Sequence, residues 1–424
     1  MQLSQFSVDG LFGRYDHVVR FPHAGEGSEL PSVVILHGPN GVGKTTILRM
    51  LDGIMHLDYD MFRVTPFGQA RLTFTKEREL SVTRIGPDGP LNVIFGGHEV
   101  LLHPRDKGAY KPSDEDAVAE FRDDFTEAVQ AISFELIETQ RASKRLDDAA
   151  EEASWRLRDP AGRAPGPRER LRLGYRGTQR ERDQSLAERV KRFIAEAQVD
   201  AARFFRGRDP NLFERIFGAL QKDELPEYSP DVLLKTLRRI RREDAISARL
   251  GLTADPWNQK QLTGFLRGLD KSPRGRQALL VLGAYVESLE ARADLRRLVV
   301  DRLLRFERIM ADFLMDKKVS TGRQDGLRIE AADGTALSER QLSSGEFHLL
   351  YLMVSALVAK RRGTVIAIDE PEMSMHIAWQ RKLIRNLIDC ASNAVPQFVF
   401  ATHSPDIVAE WREYMVRLGP VDEQ

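Results

Sequence analysis

Short apolar runs near both ends of the chain predict buried strands. Residues 33–36, 364–368 and 398–402 are apolar or β-branched throughout, which is typical of parallel strands covered on both faces. Residues 71–75 and 79–83 instead alternate apolar and polar side chains before a glycine-rich turn, as expected for an antiparallel β-lobe. The two ends of the chain therefore predict an α/β fold with a mixed sheet and an antiparallel β-lobe.

The middle of the chain follows a different pattern. From residue 142 to residue 318 the strand signals stop, and helical periodicity with many arginines takes over. A strand-like alternation resumes around Leu327 and Ile329. At 424 residues the chain also exceeds a single typical core. We therefore predict one head formed by residues 1–141 and 319–424, separated by a helical insert at residues 142–318.

A glycine-rich string follows the first apolar run and precedes a helical pattern. Residues 38–46 read Gly-Pro-Asn-Gly-Val-Gly-Lys-Thr-Thr, and this strand–loop–helix context indicates a P-loop. The loop's N–H groups and the helix N-terminus would hold phosphate oxygens, with Lys44 on the β- and γ-phosphates and Thr45 on Mg²⁺. The sequence thus predicts a nucleoside triphosphate site that includes Asn40, Gly41, Gly43, Lys44, Thr45 and Thr46.

Two later strands end in residues suited to hydrolysis. Asp369 and Glu370 follow one strand and His403 follows the next, and ligands of open α/β sheets lie at such carboxyl ends. Asp369 suits a water-bridged contact to Mg²⁺, and Glu370 suits a general base that polarises the attacking water. We expect His403 to hydrogen-bond the γ-phosphate or that water, although lone histidines are more often structural.

A second anion site is predicted upstream of these strands. Residues 341–346, Gln-Leu-Ser-Ser-Gly-Glu, place a serine hydroxyl and a glycine N–H at the start of a helical pattern. The P-loop, this string, Ile-Asp-Glu-Pro-Glu at 368–372 and Ala-Thr-His-Ser at 401–404 occur in the order of one known group. With them the chain resembles the ABC-type ATPase heads of the SMC, Rad50, RecF and OLD group.

This resemblance implies a dimer that closes around ATP. In that group the signature string of one protomer contacts ATP held by the P-loop of another, so Ser343 and Gly345 would bind the γ-phosphate in trans. His403 would be the switch histidine, and residues 371–376 would form a dimer-contacting loop. The group also has a glutamine near Mg²⁺ and the attacking water; Gln140, after the apolar run at 131–137, is the candidate, the alternative being a plain polar residue at a strand end.

Three features leave alternatives open. Arg14 or Tyr15 could stack on the adenine base, or could simply pack within an N-terminal hairpin. Nine arginines against three acidic residues between positions 156 and 182 could contact nucleic-acid phosphates or an acidic partner, or could form a solvated loop. An apolar stripe at helical spacing between residues 295 and 313 could pack within its own domain or form an oligomer contact.

Composition indicates where in the cell the protein is expected to act. Lys+Arg and Asp+Glu both total 63, so the formal net charge is zero, and no apolar run is long enough to span a membrane. The single cysteine, Cys390, excludes an internal disulfide, and the N-terminus lacks the features of a secretory signal. We therefore expect a cytoplasmic protein that binds ATP and Mg²⁺ and does not insert into a membrane.

The biological role follows from the resemblance alone. The chain is most similar to stand-alone OLD-like ATPase subunits of bacterial anti-phage systems such as Septu, PARIS and certain retrons, in which a separate nuclease or toxin acts with the ATPase. With only residues 404–424 after the last predicted strand, we expect no C-terminal nuclease domain. We expect a homodimer or larger even-numbered oligomer that works with a separate effector. The alternative is a RecF- or SMC-like ATPase that binds DNA in repair or replication; a transporter head is disfavoured by the long insert.

Overall fold

The protein divides into two compact units, the first comprising Met1–Asp183 and Arg340–Gln424 and the second Gln184–Glu339. The computed structural model describes residues 2–22, 32–87, 89–104, 110–112, 114–138, 184–208, 228–252, 259–268, 273–359, 363–392 and 394–419. Within these ranges, no helix combines the length and the hydropathy that a membrane span requires.

Strands form three sheets. In chain order they are β1 (Leu3–Leu11), β2 (Tyr15–Arg20), β3 (Ser32–His37), β4 (Gln69–Phe74), β5 (Glu79–Arg84), β6 (Leu91–Phe95), β7 (His98–Pro104), β8 (Tyr110–Pro112), β9 (Ser133–Glu138), β10 (Lys317–Gly322), β11 (Gly326–Ala331), β12 (Ala336–Leu337), β13 (Thr364–Asp369), β14 (Gln397–Thr402) and β15 (Met415–Arg417).

The α-helices are distributed over both units. They are α1 (Lys44–Met55), α2 (Asp60–Val64), α3 (Glu115–Val129), α4 (Leu186–Arg208), α5 (Pro230–Arg249), α6 (Gln259–Arg267), α7 (Pro273–Phe313), α8 (Ser344–Val358), α9 (Ile377–Cys390) and α10 (Pro405–Glu410). Two short 3-10 helices lie at Glu339–Gln341 and Arg412–Tyr414.

A five-stranded parallel sheet in the order β15-β3-β14-β13-β9 carries the strands predicted from the apolar runs. Strands β3, β13 and β14 are buried along almost their whole length. Both faces of this sheet are covered, by helices or by the antiparallel sheet described next. Their register places Asp369 beside Ala401, and Thr402 beside His37. The carboxyl ends of these strands are therefore level, and the residues that follow them meet at one edge.

A seven-stranded antiparallel sheet, in the order β2-β1-β4-β5-β6-β7-β8, forms the predicted β-lobe. Its strands alternate buried and more exposed residues, as expected for a sheet covered on one face. Helix α3 packs on that face through an aromatic cluster in which the ring centroids of Phe95 and Phe125 lie 5.1 Å apart. The fold class is thus α/β, with a parallel sheet and an antiparallel β-lobe.

The two sheets of the first unit share one hydrophobic core, which extends through α1 and α3. A polar contact within this core joins them directly: the Gln397 side chain accepts from the backbone N–H of Leu3 and donates to its carbonyl, both at 2.9 Å. Because Gln397 begins β14 and Leu3 begins β1, this buried amide aligns the N-terminal strand with the central sheet.

The second unit is mainly helical, with a core between α5, α6 and α7. Its boundary differs from the predicted return to the head at residue 319, since strands β10, β11 and β12 belong to this unit. The reason is packing: β10 lies against α7, and β11 lies against α4. The hairpin pattern was visible in the sequence, but nothing local showed which unit would cover it.

The apolar stripe on α7 packs within its own unit. Leu303, Phe306 and Met310 are fully buried and Phe313 is nearly so, while Val299 is half-buried. The side chain of Leu295 lies outside the described residues. Of the two alternatives for this stripe, the described part of α7 therefore supports burial within the unit, because its apolar side chains are already covered.

Candidate functional site

The glycine-rich loop joins β3 to α1 at the carboxyl edge of the parallel sheet. Asn40 and Gly41 are exposed at its tip, whereas Gly43 is buried directly before the helix begins. Gly43 has φ +106°, and a Cβ there would lie 2.5 Å from Cδ2 of Leu11 in the N-terminal hairpin. Only glycine fits this combination of backbone conformation and close contact.

Lys44, the first residue of α1, is buried over the loop. Its ammonium donates to the carbonyls of Gly38 at 2.7 Å and Pro39 at 3.0 Å. Burial lowers the pKa of Lys44, an effect partly offset by the nearby carboxylates of Glu370, Asp369 and Glu372. A cation held inside an arch of backbone groups is suited to binding the oxygens of a polyphosphate.

Thr45 links the loop to the Asp-Glu strand. Its hydroxyl donates to Oδ1 of Asp369 at 3.0 Å, across 324 residues of sequence. A hydroxyl and a carboxylate at this separation provide two hard oxygen donors of the kind that Mg²⁺ prefers. The donor chemistry therefore fits the predicted metal, with Thr45 and Asp369 as the residues that would hold it. Thr46, the next residue of α1, is half-buried.

Asp369 lies in a congested acidic environment. Its partner on the adjacent strand β9 is Glu138, which is buried. Oε1 of Glu138 forms an ion pair with Nε of Arg49 at 2.5 Å. Burial raises the pKa of Asp369 to about 6, and the charges of Glu370 and Glu138 add to this effect, while the Thr45 hydrogen bond and Arg49 oppose it. At neutral pH, a nearby cation would stabilise the ionised form of a carboxylate with such a pKa.

Glu370 and His403 face each other just beyond the sheet edge. Nδ1 of His403 lies 3.5 Å from Oε1 of Glu370, and both side chains are partly exposed. Glu370 has φ +50°, an unfavourable conformation for a residue with a Cβ, and its N–H donates to the Ala401 carbonyl at 2.8 Å. The carboxylate and the imidazole are therefore available to a water molecule or phosphate at this edge.

Glu372 is a buried acid that the sequence analysis placed only within the loop 371–376. Its Oε1 accepts from the Thr402 hydroxyl at 2.6 Å and from the N–H groups of His403 and Ser404 at 3.3 and 3.2 Å. The only feature of the sequence that could have drawn attention to Glu372 was its position two residues after Glu370. Arg49 and Glu138 were missed as well, since neither belongs to a recognisable motif.

The signature residues begin helix α8. Ser343 is its exposed N-cap, and it forms a capping box in which its hydroxyl and N–H interact with Glu346. Gly345 is buried, and a Cβ there would lie 2.3 Å from the Ser374 carbonyl in the loop 371–376. The signature therefore packs against the loop that follows Glu370, with the Ser343 hydroxyl at the surface.

Three further contacts were predicted, and two of them fall outside the described residues. Gln140 lies outside the described residues, as does the arginine-rich segment at 156–182. Arg14 and Tyr15 are in the hairpin between β1 and β2, where the Arg14 guanidinium lies 5.3 Å from the Tyr15 ring centroid and Tyr15 stacks on His17. Both residues therefore have partners within the hairpin, which the sequence analysis gave as the alternative to a base contact.

A parallel sheet with a glycine-rich loop between β3 and the first helix, and with acids at the end of β13, which is separated from β3 by β14, defines a P-loop nucleoside triphosphatase fold. Residues 101–409 match the family described as AAA domain, putative AbiEii toxin, Type IV TA system. This match covers more than half of the chain, and the protein belongs to that family. The matched range contains the Asp-Glu strand, the signature and His403, whereas the glycine-rich loop precedes it.

Among curated proteins, none matches the chain in sequence. Solved SMC head domains are distant likenesses. The Pyrococcus furiosus head with an extended coiled coil, bound to the C-terminal domain of ScpA, has 13% identity over 99% of this chain and 94% of its own, with a TM-score of 0.45. The Thermotoga maritima head has 10% identity over 96% of this chain and 92% of its own, with a TM-score of 0.37. The Pyrococcus yayanosii head has 13% identity over 96% of this chain and 93% of its own, with a TM-score of 0.38.

Proposed function

We propose that this protein is an ATPase that binds ATP with Mg²⁺, dimerises around the nucleotide and regulates a separate effector in a bacterial anti-phage system. The hydrogen bond between Thr45 and Asp369 carries the catalytic part of this proposal. It joins the phosphate-binding loop to the acidic strand end, which is the arrangement needed for metal-assisted phosphoryl transfer.

Each residue at the edge has a role in the proposed reaction. Lys44 and the loop N–H groups would bind the β- and γ-phosphates, while Thr45 and Asp369 would hold Mg²⁺. When bound, Mg²⁺ would neutralise charge on the phosphate oxygens. Glu370 would take a proton from the attacking water, and His403, 3.5 Å from it, would orient that water or the γ-phosphate. Gln140 stays a candidate for the same water and metal.

The signature residues would act on another protomer. Ser343 is exposed at the start of α8, a helix of 15 residues, so an anion from outside can approach the positive end of the helix. The Ser343 hydroxyl, which donates to Oε2 of Glu346 at 2.9 Å, would then exchange that acceptor for the anion. We propose that Ser343 and the Gly345 N–H contact the γ-phosphate of ATP held by a second chain. Two such sites would form in a twofold dimer.

The link to defence is supported by the family description, which names a putative toxin of a toxin–antitoxin system. Such systems have two components, and an ATPase that closes on ATP and opens after hydrolysis offers a partner two distinguishable states. The proposed partner is a separate nuclease or toxin. Purified alone, the protein should therefore leave plasmid and tRNA uncut in Mg²⁺ and ATP; cleavage lost in Glu370→Gln would instead locate the effector activity in this chain.

A second candidate is a DNA-binding ATPase of the RecF or SMC kind. The observation that favours it is a basic face on α5, where Lys235, Arg238 and Arg242 are exposed at helical spacing. If this face binds DNA phosphates, log affinity should fall with log salt concentration, and each contact removed by substitution should reduce the slope by about 0.9. Binding that is weak and insensitive to salt would leave defence as the sole candidate.

The proposed ATPase activity is tested by separating binding from hydrolysis. Lys44→Ala removes the cation from the loop and should abolish nucleotide binding. Glu370→Gln keeps the shape of the side chain and should bind ATP while hydrolysing it ~10²–10⁴-fold more slowly. The matched surface variants Lys382→Ala and Glu410→Gln should behave as wild type. An undiminished rate in Glu370→Gln would refute the assignment of the base.

A further inference from the structure

Glu372 connects the loop after Glu370 to the turn that carries His403. Its side chain is buried, with 7% of the residue exposed, and one carboxylate oxygen accepts all three hydrogen bonds described above. The shortest comes from the hydroxyl of Thr402, which is completely buried. A buried carboxylate is costly unless it is hydrogen-bonded in this way, so its position is closely defined by these three donors.

The turn at residues 402–404 depends on this carboxylate. The Ser404 N–H donates to Oε1 of Glu372 and also to Oγ1 of Thr402 at 2.9 Å, so the two groups share one donor. The His403 side chain is 54% exposed, and little packing fixes its ring. The orientation of that ring towards Glu370 therefore depends on the backbone beneath it, which Glu372 holds, and on the same carboxylate, whose Oε1 lies 3.8 Å from Nδ1 of His403.

Gln380 on α9 makes a second connection between the same two segments. Its side-chain amide donates to the Met375 carbonyl at 3.0 Å, and its carbonyl oxygen accepts from the Ser404 hydroxyl at 3.0 Å. The loop 371–376 and the turn 402–404 are thus joined from both sides. A displacement of one segment would be transmitted to the other, because the side chains of Glu372 and Gln380 each connect the two segments.

We propose that Glu372 is a positioning residue for hydrolysis, which holds the 402–404 turn so that His403 and Glu370 face the same water. This inference rests on the proposed ATPase function. Glu372 would act through His403 and would touch neither ATP nor the attacking water. Its loss should therefore slow hydrolysis without weakening nucleotide binding, since Lys44 and Thr45 keep their own hydrogen bonds and Glu372 acts on Lys44 only through its negative charge, as the least of three carboxylates.

The test compares three substitutions in steady-state ATPase and nucleotide-binding assays. Glu372→Ala should lower kcat by roughly 10- to 100-fold, the scale of a small misplacement of a catalytic group, with nucleotide Kd changed less than about twofold. Glu372→Gln keeps a carbonyl acceptor for the same donors and should recover most of the rate. The matched control is Glu135→Ala in β9, which removes a carboxylate that accepts from the Ser355 hydroxyl at 3.2 Å but lies away from the turn.

A double-mutant cycle separates positioning from a general structural effect. If Glu372 acts through His403, Glu372→Ala should add little to the loss already caused by His403→Ala, whereas independent effects would multiply. Should Glu372→Ala not fold, Thr402→Val replaces it, because it removes the Thr402 hydroxyl, which donates to Glu372 and accepts from the Ser404 N–H, while Glu372 keeps its other two hydrogen bonds. The same lack of additivity is expected for that variant.

The outcomes distinguish this inference from the proposed function. A wild-type protein without ATPase activity overturns both. A wild type that hydrolyses ATP, combined with an unchanged rate in Glu372→Ala, overturns only the positioning role. Multiplicative losses in the cycle, or a loss of nucleotide affinity equal to the loss of rate, would also overturn it, since either result means that Glu372 does not act through His403.

Discussion

At the carboxyl end of β13, burial raises the pKa of Asp369 to about 6. The ordinary value is 3.8, so between these two pH values the folded protein binds a proton that the unfolded chain has lost. The resulting stabilisation is fully present below pH 3.8 and is lost as the pH rises through about 6. Near neutral pH the folded protein therefore carries an unfavourable buried charge at this position.

We predict that Asp369→Asn stabilises the nucleotide-free protein near neutral pH. The amide keeps an acceptor for Thr45 and removes the charge, which should raise the Tm by ~2 °C at pH 7.5, for a gain of about 1 kcal/mol after screening by solvent. The gain should disappear towards pH 4. Thermal unfolding in EDTA measures it.

The Tm of Asp369→Asn must be compared with the Tm of the wild type at the same pH, because a second buried group also makes stability depend on pH. Burial lowers the pKa of His348 in α8 to about 4, so the stability that this neutral histidine contributes is lost as the pH falls, opposite to the effect of Asp369. This contribution is common to wild type and variant and cancels in their difference. A variant less stable than wild type at pH 7.5 would show that the Asp369 charge is not a net cost.

Helix α8 and the loop 371–376 approach closely at Gly345. Gly345, in the first turn of α8, lies under the carbonyl of Ser374, whose own φ is +63°. The contact is between backbone atoms, so neither partner can move aside as a flexible side chain would. The start of the signature helix and the loop after Glu370 should therefore shift together.

We predict that Gly345→Ala destabilises the first unit, because its Cβ would lie 2.3 Å from the Ser374 carbonyl. The Tm should fall by several degrees, on the order of 2–3 kcal/mol, and the ATPase rate should fall with it. Gly264→Ala in α6 is the matched control, since an added Cβ there meets no atom within 4 Å. A normal Tm with lost ATPase would indicate that Gly345 serves only a contact with another chain.

At the scale of elements, prediction succeeded where burial is local to a strand. The runs at 33–36, 364–368 and 398–402 lie within β3, β13 and β14, because strands covered on both faces need apolar residues at every position. The strands β10 to β12 were correctly expected as a hairpin but were assigned to the wrong unit. Alternation along a strand reports that one face is covered, but it does not identify the element that covers it.

For the whole molecule, the proposed trans arrangement makes two protomers necessary for hydrolysis. A mixture of Lys44→Ala and Ser343→Arg proteins should regain activity, because each mixed dimer contains one site with an intact P-loop and an intact signature. With random pairing and independent sites, the rate should reach about a quarter of wild type. Steady-state ATPase assays on the separate and mixed proteins measure this restoration.

The control for this experiment uses two lesions on the same side of the site. A mixture of Lys44→Ala and Glu370→Gln should stay inactive, since both substitutions affect the protomer that holds the ATP and every site in a mixed dimer contains one of them. If mixed dimers form and neither mixture is active, the signature does not act in trans.

The parallel strands, the phosphate-binding loop and the acidic strand end could be predicted because neighbouring residues specify each of them. Apolar runs indicate buried strands, and glycines followed by a helical pattern indicate the loop. The position of Gln140 relative to these residues stays a prediction. Since the carboxyl ends of parallel strands share an edge, the sequence also indicated that Thr45, Asp369, Glu370 and His403 would be close together.

The interactions among these groups depend on packing between distant parts of the chain. The Thr45–Asp369 hydrogen bond spans 324 residues, the Arg49–Glu138 pair beside it belongs to no motif, and Glu372 becomes a hydrogen-bonding centre only when the turn at 402–404 lies against it. Burial then sets the pKa of Asp369, which depends on every charge around it and on none of its sequence neighbours alone. Motifs are local in sequence, whereas desolvation and side-chain networks arise only from packing.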